Sequence, residues 1–233
     1  MCGRFVRVPS VGEILQSLEI QNFASSVKPS YNVAPTHRVL AIRGTPDGPA
    51  GFEPKWGFDV PWKSERASLV INARIESVHE RPLFRDLVAT RRCLVPLTGY
   101  YEWASESSLL SSLGNPKGKI PYYITNRFNS DDPSRTLIAA GLWRHSHDAD
   151  HVVLLTRAAS DQVGYIHDRM PVLLDAAMRV EWMREGECDL RAFDDEPNIS
   201  LAARRVSSAV NSARNDRSDL LLPFDGDDQP SLF

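Results

Sequence analysis

The chain has 233 residues, of which 42% are hydrophobic and 24% charged, a composition that is typical of a globular protein and excludes a disordered chain. Its three cysteines form no CxxC pair and its apolar runs are no longer than a strand, so we expect no disulfide framework, metal site, cofactor or membrane span. The formal net charge of −3 does not exclude nucleic acid as a partner, because the acidic residues are concentrated after residue 184.

Strands are the most frequent predicted element, because short apolar runs are repeatedly bounded by turn residues. A turn of Gly, Pro and Asp joins the second and third predicted strands. The predicted strands cover Gly3–Val8, Arg38–Arg43, Phe52–Gly57, Cys93–Trp103, Pro121–Asn126, Thr136–Trp143 and His151–Thr156.

Three short helices are predicted. Capping boxes, in which a serine is followed three residues later by a glutamate, predict helix starts at Ser10 and Ser77. The first of these helices is expected to end at about Leu18. A third helix is expected to follow the N-cap residue Asp175 and to end before Gly186.

These elements predict an α+β fold, a single domain over residues 1–223 with a curved, barrel-like, mainly antiparallel sheet flanked by short helices. Residues 104–119 are rich in Ser, Gly, Pro and Lys, and we expect them to form a loop inserted between two strands. Residues 224–233 are acidic and rich in turn formers, which predicts a flexible tail.

The residue that carries the most chemical information is Cys2, directly behind Met1. Removal of Met1 would leave an α-amine and a thiol on neighbouring carbon atoms, and such a 1,2-aminothiol condenses with an aldehyde to an imine and then to a thiazolidine. The amine and the thiol titrate at about 8 and about 8.5, so both nucleophiles are available near neutral pH. The alternative is that Met1 is retained and Cys2 is a small buried residue. Removal by the protein itself and removal by an aminopeptidase both stay open.

Two ionisable residues stand in otherwise apolar, strand-like segments. Glu102 lies between Tyr101 and Trp103, where desolvation would raise the pKa of its carboxyl group and suit it to general acid–base catalysis. The alternative is a glutamate on the wet face of a strand. His167 is followed by Asp168, whose carboxylate is at hand to orient the imidazole ring, although a lone histidine is more often structural.

Asn72 and Arg74 lie two positions apart in the strand-like segment 71–77, so both side chains are expected on the same face. An amide beside a guanidinium suits a hydrogen-bonding group next to a phosphate clamp. The alternative for Arg74 is a surface salt bridge.

Eight short blocks occur in a fixed order along the chain: MCGRF, YNVAP, WG at 56–57, INARIES, RRCLVP at 91–96, GYYEW, AAGLW at 139–143 and IHDRMP. With these blocks the chain resembles the SOS response-associated peptidase (SRAP) family, which includes abasic-site shielding proteins, over residues 1 to about 215. The resemblance implies binding of single-stranded DNA and of junctions with double-stranded DNA. It also implies a covalent crosslink to abasic sites, whose ring-opened sugar exposes an aldehyde.

The resemblance implies roles in the crosslink for four residues. Cys2 would supply the amine and the thiol of the thiazolidine, and Asn72 would hold Cys2 and the opened sugar. His167 would assist ring opening and proton transfer. Glu102 would act as acid and base in Schiff-base formation and in reversal of the crosslink.

The resemblance also implies contacts with DNA. Three arginines are expected to grip phosphates around the lesion: Arg4, Arg74 and Arg169. Five further residues are expected to line the DNA path: Asn32, Pro35, Trp62, Trp103 and Thr156. Trp62 is a candidate stacking residue, with core packing as the alternative for Trp62 and Thr156.

The last residues contain a separate signal. Gln229, Leu232 and Phe233 fit a Q-x-x-L-F pattern that resembles peptides bound by the bacterial sliding clamp. In such peptides the glutamine anchors the chain while the apolar pair fills a hydrophobic pocket. The alternative is that Leu232 and Phe233 fold back onto the domain.

The sequence therefore predicts a monomeric sensor of DNA lesions in the cytoplasm, associated with the nucleoid and replication forks. It would crosslink to abasic sites through Cys2 and be able to reverse the crosslink. One alternative is an N-terminal-nucleophile cysteine amidohydrolase or peptidase, in which the α-amine of Cys2 is the base. Another is a DNA-binding or clamp-associated module without catalysis, whose function would survive the substitution Cys2→Ala.

Overall fold

A computed structural model describes residues 2–8, 15–16, 20, 23, 26–60, 69–105, 119–127, 136–147 and 149–224. Strands predominate within these ranges. They are β1 (Arg4–Arg7), β2 (Ser30–Val33), β3 (Ala41–Thr45), β4 (Gly48–Phe52), β5 (Lys55–Trp56), β6 (Phe58–Asp59), β7 (Leu69–Val70), β8 (Asn72–Arg74), β9 (Arg92–Leu97), β10 (Gly99–Ser105), β11 (Lys119–Asn126), β12 (Leu137–Ser146), β13 (Ala149–Ala158), β14 (Arg169–Pro171) and β15 (Leu201–Arg205). The helices are short: α1 (Arg85–Val88), α2 (Ala176–Met183) and 3₁₀-helices at Ile75–Ser77, Leu190–Phe193, Ser208–Asn211 and Ser218–Leu221.

The strands form two main sheets and a small third one. The first sheet has the order β15-β11-β10-β1-β2, and its neighbours run antiparallel. The second sheet has the order β14-β13-β12-β9-β3-β4, and β5 and β8 pair with β13 in parallel. Strands β6 and β7 pair with each other. The predicted α+β class with mainly antiparallel pairing is confirmed, and the strands are divided between two sheets that stay open over the described residues.

A buried apolar cluster connects the two main sheets. It contains Phe5 and Tyr100 from the first sheet and Val95 and Leu154 from the second, and Cys2 belongs to it with no exposed surface. Burial of each large apolar side chain stabilises the fold by about 1.5–3 kcal/mol. The residues around the N-terminus are therefore held in place by the core.

The prediction of a single strand at Cys93–Trp103 is wrong, because the chain leaves the second sheet at the end of β9 and enters the first sheet as β10. The backbone N–H of Thr98, between these strands, donates to the carbonyl of Val6 at 2.8 Å. A Cβ atom at Gly99 would stand 2.5 Å from the ring of Tyr123, so only glycine fits at this position. The sequence does not indicate this change of sheet, because apolar residues continue from β9 into β10.

The predicted strands Arg38–Arg43 and Phe52–Gly57 are displaced in the structure. The chain forms a β3–β4 hairpin instead, in which Ala41 pairs with Phe52 and Thr45 with Gly48. Pro54 lies between β4 and β5. Because it has no N–H to donate, β4 does not continue into β5.

One helix prediction is wrong and one is confirmed. The α-helix expected after Ser77 begins only at Arg85, because Pro82 would fall inside the predicted helix and cannot donate a helical hydrogen bond. Asp175 is the N-cap of α2 as predicted, since its Oδ1 accepts from Met178 N at 3.0 Å. Helix α2 ends at Met183, three residues before Gly186, whose φ angle is +91°.

Several predicted features lie outside the described residues, namely most of the helix from Ser10 to Leu18, most of the loop 104–119 and the tail after residue 224. The domain boundary at residue 223 stays a prediction. Among the described residues, no helix has the length and apolar character needed to cross a membrane. The described part of the chain also contains no cluster of three His, Cys, Asp or Glu residues arranged to hold a metal ion.

Candidate active site

The N-terminal residues reach the site by strand pairing. Strand β1 runs antiparallel to β10, with Arg4 opposite Tyr101 and Phe5 opposite Tyr100. The chain before Arg4 therefore runs toward Glu102, which is the next residue along β10. This register brings two predicted residues, Cys2 and Glu102, to the same end of the first sheet.

Cys2 is fully buried. Its thiol points to the carbonyl of Arg4, with Sγ 3.9 Å from that oxygen. Burial raises the pKa of this thiol far above its ordinary value, and the negative charge of Glu102 raises it further. The thiol is thus held in its protonated form, beside a group that is able to accept its proton.

Asn72 holds the backbone of Cys2. Its Nδ2 donates to the Cys2 carbonyl at 2.8 Å. The side chain is positioned by β8, which pairs in parallel with β13 and places Asn72 opposite Leu154. Asn72 Oδ1 is buried and accepts no hydrogen bond from any other described residue. The amide therefore has acceptor capacity left for a donor that binds next to Cys2.

Glu102 is buried, with 2% of its surface exposed. Desolvation raises the pKa of its carboxyl group to about 7, and the charge of Asp168 acts in the same direction. A carboxyl group with this pKa is present in both protonation states near neutral pH, so it is able to donate and to accept a proton there.

His167 lies just before β14 and is partly buried. Its Nδ1 accepts from the backbone N–H of Arg169 at 3.0 Å, and the same nitrogen lies 2.8 Å from Asp168 Oδ1. The first contact requires Nδ1 without a proton, as in the neutral Nε2–H tautomer, whereas the second requires a proton on Nδ1. Desolvation lowers the pKa of His167, which favours the neutral ring with its proton on Nε2.

A cavity of about 430 Å³ opens over these groups, and it is lined by Glu102, Trp103, Lys119, His167 and Asn211. The cavity thus joins two predicted catalytic side chains to a lysine, an indole and an amide. The positive charge of Lys119 also contributes to the lowered pKa of His167.

Arg169 is engaged within the protein. Its guanidinium forms a two-point ion pair with Glu76, with N–O distances of 2.5 and 2.9 Å, and it donates to the carbonyl of Thr156 at 2.6 Å. Only 11% of the Arg169 side chain is exposed. Thr156 is fully buried in β13. The predicted DNA contact of Thr156 does not fit this burial, and its visible role is to hold Arg169.

Arg4 and Asn32 form a second internal network. Arg4 donates to Asn32 Oδ1 and to the carbonyl of Val210, both at 3.0 Å. Asn32 Nδ2 donates to the carbonyls of Val210, Ser212 and Asn215 at 2.8–3.2 Å, and Asn32 is 1% exposed. The buried amide is therefore not accessible to DNA, and the network fixes the segment that follows the 3₁₀-helix Ser208–Asn211.

Of the remaining predicted DNA contacts, Trp103 lines the cavity. Trp103 is half-buried, and its Nε1 donates to Asn211 Oδ1 at 2.7 Å. Arg74 is exposed on β8, two residues after Asn72, and Pro35 is half-buried just after β2. Trp62, like the predicted clamp-binding residues of the tail, lies outside the described residues.

Three residues of the site were missed by sequence reasoning: Glu76, Lys119 and Asn211. Glu76 belongs to the block INARIES, but it lies in the 3₁₀-helix Ile75–Ser77 that follows β8, so its spacing of two from Arg74 gave no strand signal. Lys119 was assigned to the inserted loop, and Asn211 comes from a segment more than 100 positions beyond Trp103. No local pattern connects the last two residues with the site.

Comparisons with known proteins agree with this architecture. A family model described as SOS response associated peptidase (SRAP) matches residues 1–213. The abasic site processing protein YoaM of Bacillus subtilis (strain 168) is 31% identical over 238 residues, which cover 95% of this chain and 97% of YoaM. The abasic site processing protein YedK of Escherichia coli (strain K12) is 26% identical over 236 residues, covering 96% of this chain and all of YedK.

Solved structures show the same fold. A protein from Bacteroides thetaiotaomicron superposes with a TM-score of 0.74 at 20% identity, covering 96% of this chain and 100% of that protein. A phage-related protein from Bordetella bronchiseptica superposes with a TM-score of 0.66 at 24% identity, covering 88% of this chain and 94% of the other.

Proposed function

This chain belongs to the SOS response-associated peptidase family, and from that premise we propose that it binds single-stranded DNA and processes abasic sites through a covalent thiazolidine at Cys2. The proposal takes the aldehyde of the ring-opened abasic sugar as the reacting group. The observation that carries it is the register of β1 and β10, which brings the buried Cys2 to the same end of the first sheet as the buried Glu102, whose carboxyl group has a pKa of about 7.

The first step requires removal of Met1, since an amide nitrogen forms no imine. The freed α-amine of Cys2 adds to the sugar aldehyde to give a carbinolamine. Glu102 in its protonated form donates a proton to the departing hydroxyl group, and water leaves as the imine forms. His167 faces the same cavity with its proton on Nε2, where a hydrogen bond to the sugar oxygen would assist ring opening.

The second step closes the five-membered ring. The Cys2 sulfur adds to the imine carbon, the carbon–sulfur bond forms, and the thiol proton passes to the ring nitrogen, with Glu102 as the group able to carry it. The same groups acting in reverse order would release the protein from the DNA. Asn72 supports both steps because its hydrogen bond to the Cys2 carbonyl fixes the reacting residue.

Binding of the DNA strand is assigned to the exposed groups around the cavity. Arg74 and Lys119 are exposed cations that are able to contact phosphates, and the indole of Trp103 offers a face for stacking. Pro35 and Trp62 are proposed to line the path of the strand. Arg4 and Arg169 act mainly from within, by holding the segment at 210–211 and the loop around His167.

The partners and location of the protein follow from this substrate. We propose a monomer that acts on DNA at replication forks, brought there by a clamp-binding tail with Gln229, Leu232 and Phe233. Unchanged binding to the sliding clamp after deletion of residues 229–233 would remove the tail from the proposal.

The buried thiol favours this function over a thiol hydrolase. A cysteine hydrolase that relies on a preformed thiolate needs a lowered thiol pKa, whereas burial and the charge of Glu102 raise the pKa of the Cys2 thiol. Thiazolidine formation tolerates a protonated thiol because the amine attacks first and the carboxylate accepts the thiol proton afterwards.

The test is incubation of the protein with a single strand that contains one abasic site, followed by denaturing electrophoresis and mass spectrometry. The wild-type protein should form a heat-stable adduct, and the variant Cys2→Ala should form none while still binding an undamaged strand. A strand with a reduced abasic site, which has no aldehyde, is the matched control. Absence of the wild-type adduct would refute the proposed function.

A further inference from the structure

Tyr100 has a buried hydroxyl group that the fold does not use. The residue lies on β10 with no exposed surface, and its Oη has no hydrogen-bond partner among the described residues. Leaving a buried hydroxyl group without a partner is unfavourable, so phenylalanine would serve packing at this position at least as well. Packing alone therefore does not explain the hydroxyl group.

The position of Tyr100 places this hydroxyl group near the reacting residue. Tyr100 and Glu102 are two residues apart on β10 and share one face of the strand. Tyr100 is paired with Phe5 and belongs to the same buried cluster as Cys2. Burial raises the pKa of the phenol, and negative charge on Cys2 and then on Glu102 raises it further, so the phenol keeps its proton.

The neighbouring Tyr101 is a contrast on the opposite face of the same strand. Its Oη donates to the carbonyl of Tyr31 at 2.8 Å, and its ring packs against Tyr123 at a centroid distance of 5.4 Å. Tyr101 thus uses its hydroxyl group for the fold, whereas Tyr100 directs an unused donor into the cluster that contains Cys2.

We propose that Tyr100 donates a hydrogen bond to the Cys2 sulfur while the thiazolidine ring closes. This inference rests on the proposed function. During closure the S–H bond breaks, the carbon–sulfur bond forms, and the proton ends on the ring nitrogen, so no oxidant or leaving group is needed. A phenol that donates to sulfur stabilises the negative charge that develops on it between proton loss and bond formation.

The step before closure makes no such demand, because the α-amine and not the sulfur attacks the aldehyde. Loss of the hydroxyl group should therefore slow ring closure and leave imine formation unchanged. The imine is trapped by borohydride, which reduces its C=N bond to a stable amine, and this reagent separates the two steps.

The experiment compares the full chain with the variants Tyr100→Phe and Tyr101→Phe on abasic single-stranded DNA. For Tyr100→Phe we expect stable adduct to form about 10- to 100-fold more slowly, with accumulation of borohydride-trapped imine and a rate profile displaced to higher pH. Its melting temperature should match or exceed that of wild type. For Tyr101→Phe we expect a lower melting temperature and unchanged adduct kinetics.

Two results would overturn the inference while leaving the proposed function intact. One is a Tyr100→Phe variant with the wild-type rate, pH profile and imine fraction. The other is a Tyr100→Phe variant that melts below Tyr101→Phe, because packing would then account for any slower reaction. A wild-type protein that forms neither imine nor adduct would refute the proposed function itself, and the inference with it.

Discussion

The site has a buried floor and an exposed rim, and the two differ in what surrounds their polar groups. The floor consists of Cys2, Tyr100 and Glu102, which are buried, together with the half-buried Asn72. The rim consists of Trp103, Lys119, His167 and Asn211, which line the cavity and are partly or largely exposed, and of the exposed Arg74 on β8.

In the proposed function, this difference separates the residues that react from the residues that bind DNA. On the floor, desolvation raises the pKa of Glu102 to about 7 and keeps the Cys2 thiol protonated. On the rim, solvated cations are able to attract phosphates without a large cost of desolvation. Arg4 and Arg169, which the resemblance assigned to phosphates, form hydrogen bonds and an ion pair within the protein, and their contacts with phosphates stay a prediction.

The largest effect is expected for Cys2→Ser, which keeps the α-amine and removes the sulfur. Hydroxyl oxygen is a weaker nucleophile, so stable adduct should fall by about 100-fold or more while imine remains trappable by borohydride. The matched control is Cys188→Ser at a half-buried cysteine outside the floor. Equal stable adduct from Cys2→Ser and wild type, measured by denaturing electrophoresis, would mean that the sulfur takes no part.

The second largest effect is expected for Glu102→Gln, which keeps the shape of the side chain and removes its acid–base function. Adduct formation should slow by about 10²–10³-fold, and the optimum of the wild-type rate near pH 7 should disappear. Stopped time courses from pH 5 to pH 9 measure both. An optimum retained in the variant would assign the titration to another group.

The same substitution should change how stability depends on pH. The native carboxyl group holds its proton up to a pKa of about 7, whereas the unfolded one releases it near 4.5. The free energy of unfolding of wild type should therefore fall by about 3 kcal/mol between pH 4.5 and pH 7, and Glu102→Gln should lack this fall. Urea unfolding at pH 4 and pH 8 measures this change. If the free energy of unfolding changed equally with pH in wild type and in Glu102→Gln, the burial of Glu102 would be contradicted.

A smaller effect, on stability, is expected for Glu76→Ala. The substitution leaves the mostly buried guanidinium of Arg169 without its ion-pair partner, so the free energy of unfolding should decrease by about 2 kcal/mol. Glu80→Ala is the control, because its side chain is 69% exposed and its loss should change stability by less than about 0.5 kcal/mol. Equal urea midpoints for the two variants would show that the ion pair between Arg169 and Glu76 does not stabilise the protein.

The smallest effects are expected on the rim, for Lys119→Gln and Arg74→Gln. Each should lower the slope of log affinity against log salt concentration for intact single-stranded DNA by about 0.7, without changing adduct chemistry once the strand is bound. Arg191→Gln is the control, because Arg191 is exposed and paired with Asp189. The slopes are measured by fluorescence anisotropy titrations. Unchanged slopes would mean that the DNA backbone does not contact Lys119 and Arg74.

The sequence was sufficient to select three of the four floor residues, Cys2, Asn72 and Glu102, as site candidates. Cys2 and Glu102 sit in the short blocks MCGRF and GYYEW, and antiparallel pairing of the strands in those blocks is enough to bring the two residues together. Asn72 and His167 also fall in such blocks, and the fold places both close by.

The sequence was not sufficient to predict the partners of the arginine side chains. Whether an arginine faces a phosphate or a carboxylate depends on contacts between distant segments, such as Arg169 with Glu76 and Arg4 with Val210. No periodicity encodes these pairs. After Ser77 the prediction failed for a local reason, because the capping box was outweighed by Pro82 five residues later.

The measurement that tests the central claim most directly is peptide mapping of the purified adduct with abasic DNA. After digestion of protein and DNA, the modified peptide should begin at Cys2, lack Met1 and carry the sugar remnant on both its nitrogen and its sulfur. A modified peptide that retains Met1, or a remnant attached to any other residue, would contradict the account.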